Sequence, residues 1–286
     1  MNSKTLLSSF VVVAGLVFAI GLFAQTPAVQ FPSPSPASTL KQRVGLTDIE
    51  IIYSRPGVKG RQIFGGLVPY GEVWRTGANA STKISFSTAV KLNGTEIPAG
   101  QYALYTIPGK KEWTVIIHKD TAASIFNYNP TNDLVRFKAV PVKLVELVET
   151  FTIDINDIRD DSATIDFLWE KTRVPMKLEL DLVSGLAPQI EAAMAAPGGN
   201  KPYYQAAMFY YDHGQDLQKA SQWIDAAIVQ RETYYIVHLK AKILAKLGDK
   251  AGATAAAKRS TELAIKAEGP KSGYVKMNAD LISSLH

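Results

Sequence analysis

Arg55, Lys59, Arg61 and Arg75 fall close together in one segment, Tyr53 to Asn79, which reads YSRPGVKGRQIFGGLVPYGEVWRTGAN. A guanidinium is a fixed fork of donors that matches a carboxylate or a phosphate. Trp74 and Tyr70 offer flat faces for stacking, and Asn79 offers a polar contact. A small-ligand pocket combines an apolar wall with a few convergent polar groups, and this segment holds both. Tyr53, Arg55, Arg61, Trp74, Arg75 and Asn79 are therefore the candidate ligand-binding residues, suited to an anionic or sugar-like ligand. The same side chains have a second use. Arginines can bond loop carbonyls or pair with Glu50 or Glu72, and Gly65-Gly66 and Pro69-Tyr70-Gly71 then serve as turns.

Other chemistry is weaker. Gly57-Val58-Lys59-Gly60-Arg61 lacks the spacing and trailing Lys-Ser/Thr of a phosphate loop, and no helix is expected after it. Zinc sites often use closely spaced histidines, but His118, His213, His238 and His286 are all isolated in sequence. His118 ends a strand and reads as a half-buried or exposed residue. FNYNPTNDL is rich in side-chain oxygens but carries one carboxylate, so it reads as a turn and not as a calcium loop. Asp154, Asp157, Asp160 and Asp161 could supply the carboxylate pair of a glycoside hydrolase. Their better reading is a solvated hairpin loop. No nucleophile elbow and no His-Glu-x-x-His motif occurs, so an enzyme is not the leading expectation. No metal and no cofactor is expected.

The elements that would position these residues come in two kinds. The chain has 286 residues, enough for two domains, and 47% of them are hydrophobic, which argues for packed cores. The net charge of +5 is dispersed, with no basic run, so nucleic acid is not an expected partner. There is no cysteine, which excludes disulfides and thiol chemistry.

Residues 1–24 have the layout of a secretory signal peptide, with Lys4 before an apolar run that ends at Ala24. The expected location is periplasmic or extracellular. The alternative is an uncleaved membrane anchor over residues 6–24, nearly long enough to span a bilayer. Residues 25–39 are rich in Pro, Ser and Thr and read as a flexible spacer.

From residue 40 to 184 the pattern has a period of two. Thr47, Ile49, Ile51 and Tyr53 alternate with Asp48, Glu50 and Ile52, and Phe151, Ile153 and Ile155 alternate with Thr152 and Asp154. Asn93-Gly94 marks a tight hairpin. Short strands joined by such turns predict an antiparallel β-sandwich or a barrel. From residue 185 to 286 the period becomes helical. Gly214 and Gly248 lie 34 positions apart, and Ala220 and Ala253 lie 33 apart. That spacing resembles tetratricopeptide helix pairs, with GYVKMNADLISSLH as a capping helix. The fold class expected is α+β in two domains. Aromatic residues of the helices, Tyr203 and Tyr204 among them, could line a groove for a protein partner.

Four stretches carry a resemblance to a known family: the Tyr53–Asn79 segment, LNGTEIPAGQYALYTIPGKKEWTVII, FNYNPTNDLVRFKAVPVKL and ATIDFLWEKTRVPMKLEL. Over about residues 40–182 the chain resembles the bacterial secreted family called domain of unknown function 2911. The resemblance implies an exported β-rich domain and supplies no activity. Three functions stay open. The leading one is an envelope binding protein with a small-molecule or glycan site in the β part and a protein-binding helical part. The others are an exported hydrolase of glycans or esters, and a scaffold with no ligand.

Overall fold

The computed structural model describes residues 30–285. Ten strands come first and six helices follow. Strands β1 (Ala37–Val44), β2 (Thr47–Ser54), β3 (Thr82–Phe86), β4 (Val90–Leu92) and β5 (Thr95–Ile97) lead into β6 (Gly100–Ile107) and β7 (Trp113–His118). Then come β8 (Asp133–Ala139), β9 (Val142–Asn156) and β10 (Ser162–Glu179). They form a six-stranded sheet in the order β1-β2-β3-β6-β7-β8 and a four-stranded sheet in the order β5-β4-β10-β9. Every pairing is antiparallel.

The two sheets share one core. Ile51, Ile84, Leu104 and Ile117 of the larger sheet are fully buried with Leu92, Ile165, Val174 and Met176 of the smaller. Two sheets with an apolar layer between them make a sandwich, which settles the choice left open between sandwich and barrel. The alternation read from the sequence holds in β2, where Thr47, Ile49, Ile51 and Tyr53 are all buried. Asn93 and Gly94 both take positive φ, 47° and 78°, and turn β4 into β5. Both central residues of a type I′ hairpin need that conformation.

Three expectations are corrected. The spacer expected to residue 39 ends earlier, because Ala37, Ser38 and Thr39 already pair with Ser54, Tyr53 and Ile52. The proline-rich composition before them hid the start of a strand. The first helix opens at Leu182 and not at residue 185. Asp181 caps it by accepting from the Ser184 amide, directly after β10 ends. His118 is fully buried. The loop 119–132 folds over it, and its two ring nitrogens lie 3.1 Å from the carbonyl oxygens of Asp120 and Asn129.

The helices are α1 (Leu182–Ala195), α2 (Tyr203–Asp212), α3 (Leu217–Gln230), α4 (Tyr234–Lys246), α5 (Lys250–Glu268) and α6 (Gly273–Ser284). Pairs α2–α3 and α4–α5 are joined by turns at Gly214 and Gly248, and an aspartate caps each second helix. Ala220 and Ala253, the equivalent positions of the 33-residue spacing, are both fully buried. Small residues there let the helices pack closely. Among the described residues no helix is long and apolar enough to cross a membrane. The apolar run of residues 6–24 lies outside the described residues.

Candidate functional site

The segment between β2 and β3 joins the two sheets. Its first part runs beside β9: the Val58 amide donates to the Glu149 carbonyl at 2.7 Å, and the Phe151 amide donates to the Pro56 carbonyl at 2.9 Å. Its second part runs beside β6. Trp74 and Thr106 exchange main-chain hydrogen bonds of 2.7 and 2.9 Å, filling the edge of β6 past the end of β3. Between these two anchors the chain turns at Phe64 and Val68, which form a bridge. Gly65 at this turn has φ +80°, and a Cβ there would lie 2.6 Å from the Tyr70 ring.

Most of the polar residues expected at the site hold the segment down. The Tyr53 hydroxyl donates to the Ile153 carbonyl and accepts from the Ile153 amide. Arg55 donates from Nε to the Phe151 carbonyl and from Nη2 to the Thr152 hydroxyl at 2.7 Å. Arg61 donates from Nε to Val58 and from Nη2 to Gly57, both main-chain carbonyls. Asn79 is exposed and donates to the Ser35 carbonyl and to the Ser54 hydroxyl.

Arg75 is different. Its Nε is shielded from solvent and has no hydrogen-bond partner among the described residues. A buried donor without an acceptor costs roughly 1–3 kcal/mol, so native structures rarely leave one without a reason. Arg75 lines a cavity of about 230 Å³ together with Arg61, Trp74, Trp169, Leu67 and Val68. Ser35 also lines it, carried there by the chain that precedes β1. No carboxylate lines this cavity. The structure thus brings Arg61, Trp74 and Arg75 together and leaves Tyr53, Arg55 and Asn79 outside the lining.

Aromatic residues form the floor. Trp74 and Trp169 stack with ring centroids 5.8 Å apart and 17° between their planes. Phe151 meets both rings edge-on, at 5.2 Å from Trp74 and 5.6 Å from Trp169. Both indole N–H groups are spent on main-chain carbonyls, Trp74 on Gly77 at 3.0 Å and Trp169 on Glu149 at 3.3 Å.

Backbone strain sits beside the two residues that matter most. Thr76, next after Arg75, is fully buried with φ +52°. A β-branched residue is rarely found in that left-handed region. Its carbonyl accepts from the Thr82 hydroxyl at 2.7 Å, and its own hydroxyl lies 3.1 Å from that of Thr106. Glu170, next after Trp169, has φ +54°. The ladder between β9 and β10 slips there, where Leu168 pairs with Thr152 and Glu170 with Val148. A bulge of this kind re-aims a side chain. The sequence pointed to Arg75 and Trp74. It gave no sign of Trp169, which reads simply as one strand residue in SATIDFLWE, nor of Ser35, which falls in the expected spacer.

The remaining candidates resolve as loops. Asp157, Asp160 and Asp161 are exposed in the turn between β9 and β10. Among the described residues no group of three His, Asp or Glu side chains is placed to hold a metal ion. In FNYNPTNDL, Asn129 caps a short 3-10 turn, and Asp133 pairs with Arg136 at 2.6 Å.

The comparisons with curated proteins and with solved structures return no match. One family model, described as a protein of unknown function (DUF2911), matches residues 35–178, half of the chain and nearly the whole of the sandwich. It stops before the helices. By that match the chain belongs to the DUF2911 family.

Proposed function

We propose that this chain is an exported binding protein whose β-sandwich holds a small ligand in the cavity between Arg61, Trp74, Arg75 and Trp169. One observation carries the reading: the Arg75 guanidinium keeps a shielded, unpartnered Nε at a cavity that holds no carboxylate of its own. The guanidinium as a whole finds no carboxylate partner among the described residues, and an anionic group from outside the chain would supply one at the cavity. The strained Thr76 and Glu170 support it, because strain of this type collects where a side chain must be held in place. Export is supported by the layout of residues 1–24. The helical part, with repeat-like spacing resembling tetratricopeptide pairs, would engage a protein partner.

Arg55, Lys59, Arg61 and Asn79 favour a second reading, a scaffold without a ligand, since all four donate to main-chain carbonyls. The two readings part at Arg75. Trp74 and Trp169 at the cavity make intrinsic fluorescence a direct reporter. A saturable change with a member of a sugar, phosphate and carboxylate panel, lost in Arg75→Met, is the expected result. Silence across the panel in the wild type would leave the scaffold.

A further inference from the structure

The cavity offers very little polar chemistry. Its charged side chains are Arg61 and Arg75, both cationic. Arg61 already spends Nε and Nη2 on the carbonyls of Val58 and Gly57. Both indole N–H groups face carbonyls of the chain itself. Apart from Ser35 and Gly77, the walls that remain are apolar: Leu67, Val68, Pro56, Ala78 and the two near-parallel indoles.

We infer that the ligand is a small, flat monocarboxylate with an apolar body. The inference rests on the ligand-binding reading above and names the class of molecule that fits it. A carboxylate has two oxygens in one plane, and one edge of a guanidinium meets both. A phosphate carries more charge and more oxygens, and apolar walls would strip its water without replacing it. A neutral sugar needs donors and acceptors around its whole rim; the indoles have none to spare, and Ser35 adds a single hydroxyl. The size agrees. A cavity of about 230 Å³ has room for roughly eight waters at ~30 Å³ each, which suits a single aromatic ring with one carboxylate.

The geometry also assigns Thr76 as a positioning residue. Its left-handed backbone, held by the hydrogen bond from the Thr82 hydroxyl to its carbonyl, sets the direction in which Arg75 leaves the chain. Thr76 itself is absent from the cavity lining.

The test uses the full chain and five probes: benzoate, benzamide, acetate, inorganic phosphate and glucose. Binding is read by tryptophan fluorescence and by calorimetry. Benzoate is expected to bind saturably and at least tenfold more tightly than each of the others. Arg75→Met should weaken benzoate at least tenfold with a urea midpoint no lower than that of wild type, which separates lost binding from lost folding. Arg75→Lys should recover only a small part of that affinity, because an ammonium is a point charge and not a fork. Thr76→Pro, which forbids positive φ, should weaken benzoate, and Thr76→Gly, which allows it, should restore most of the affinity. Phosphate or glucose binding that depends on Arg75, with benzoate silent, would overturn the carboxylate class and leave a ligand site. No response from any probe, or responses unchanged in Arg75→Met, would overturn the site as well.

Discussion

Two long loops leave the six-stranded sheet, and they treat their polar groups in opposite ways. The loop of residues 119–132, between β7 and β8, is saturated in its shielded side-chain polar groups, none of which lacks a partner. Its partner His118 sets each ring nitrogen 3.1 Å from a carbonyl oxygen. The Tyr105 hydroxyl donates to the Ala123 carbonyl and lies 2.9 Å from the Ser81 hydroxyl. The Tyr128 hydroxyl donates to Asp133 and accepts from Arg136. The segment of residues 55–81, between β2 and β3, is also pinned by Arg55 and Arg61, yet it leaves the Arg75 Nε shielded and unpaired. A loop whose shielded polar groups all find partners within the chain is complete as a structural element. A loop that keeps one charged donor beside a cavity is, on the binding function proposed above, completed by a ligand. Arginine content does not separate the two cases, since Arg55 and Arg75 share one segment. Hydrogen-bond satisfaction does.

Substitutions can sharpen or break this contrast, and the largest effect belongs to the saturated loop. His118→Ala opens a cavity and removes both ring contacts, so urea unfolding should show a loss of about 3 kcal/mol. A loss below about 1 kcal/mol would mean that the loop does not depend on those bonds. Next comes Arg55→Ala, which deletes two hydrogen bonds to β9 and should lower stability by about 1–2 kcal/mol.

The third test is the alkaline limb of stability. The Tyr128 hydroxyl is pushed up to about 12, by burial first and by the Asp133 carboxylate second. The folded state therefore favours its protonated form. That contribution is fully present below pH ~10, the unfolded value, and is lost as pH rises through about 12. Wild type should lose stability relative to Tyr128→Phe between pH 10 and 12. Parallel pH profiles for the two proteins would mean that the Tyr128 hydroxyl does not couple the stability of the loop to pH.

The smallest effect is expected at Arg75. Arg75→Met removes a shielded donor that has no partner, so its unfolding free energy should not fall below that of wild type and should rise by about 1 kcal/mol as the unpaired donor is relieved. A loss as large as that of Arg55→Ala would show that Arg75 pins the segment too, and the contrast between the two loops would collapse.

Local chemistry made several elements readable in advance. Asn93-Gly94 supplies two residues that tolerate positive φ, so a hairpin there needed no knowledge of the rest of the chain. Thr47–Tyr53 alternates because one face of β2 is buried, and a period of two records that directly. The glycine and aspartate before α3 and α5 mark helix starts for the same local reason. His118 was misplaced because burial of a strand end depends on whether a distant loop covers it. The end of the spacer is not legible in composition, because a strand's first residues are fixed by their partners, Tyr53 and Ser54.

The candidate site divides along the same line. Residue type alone marked the Tyr53–Asn79 segment, since glycines and arginines are costly to collect without a use and their preferences act at short range. The choice of Arg75 over Arg55 and Arg61 depended on which carbonyls each fork could reach, and those belong to β9 or to the segment's own folded turn. Trp169 came to the cavity from β10, across a bulge, although it lies 94 positions from Arg75 in the sequence. A sequence encodes conformational preference residue by residue. The pairing of an arginine with an empty space is a property of surfaces brought together only when the two sheets close on one core.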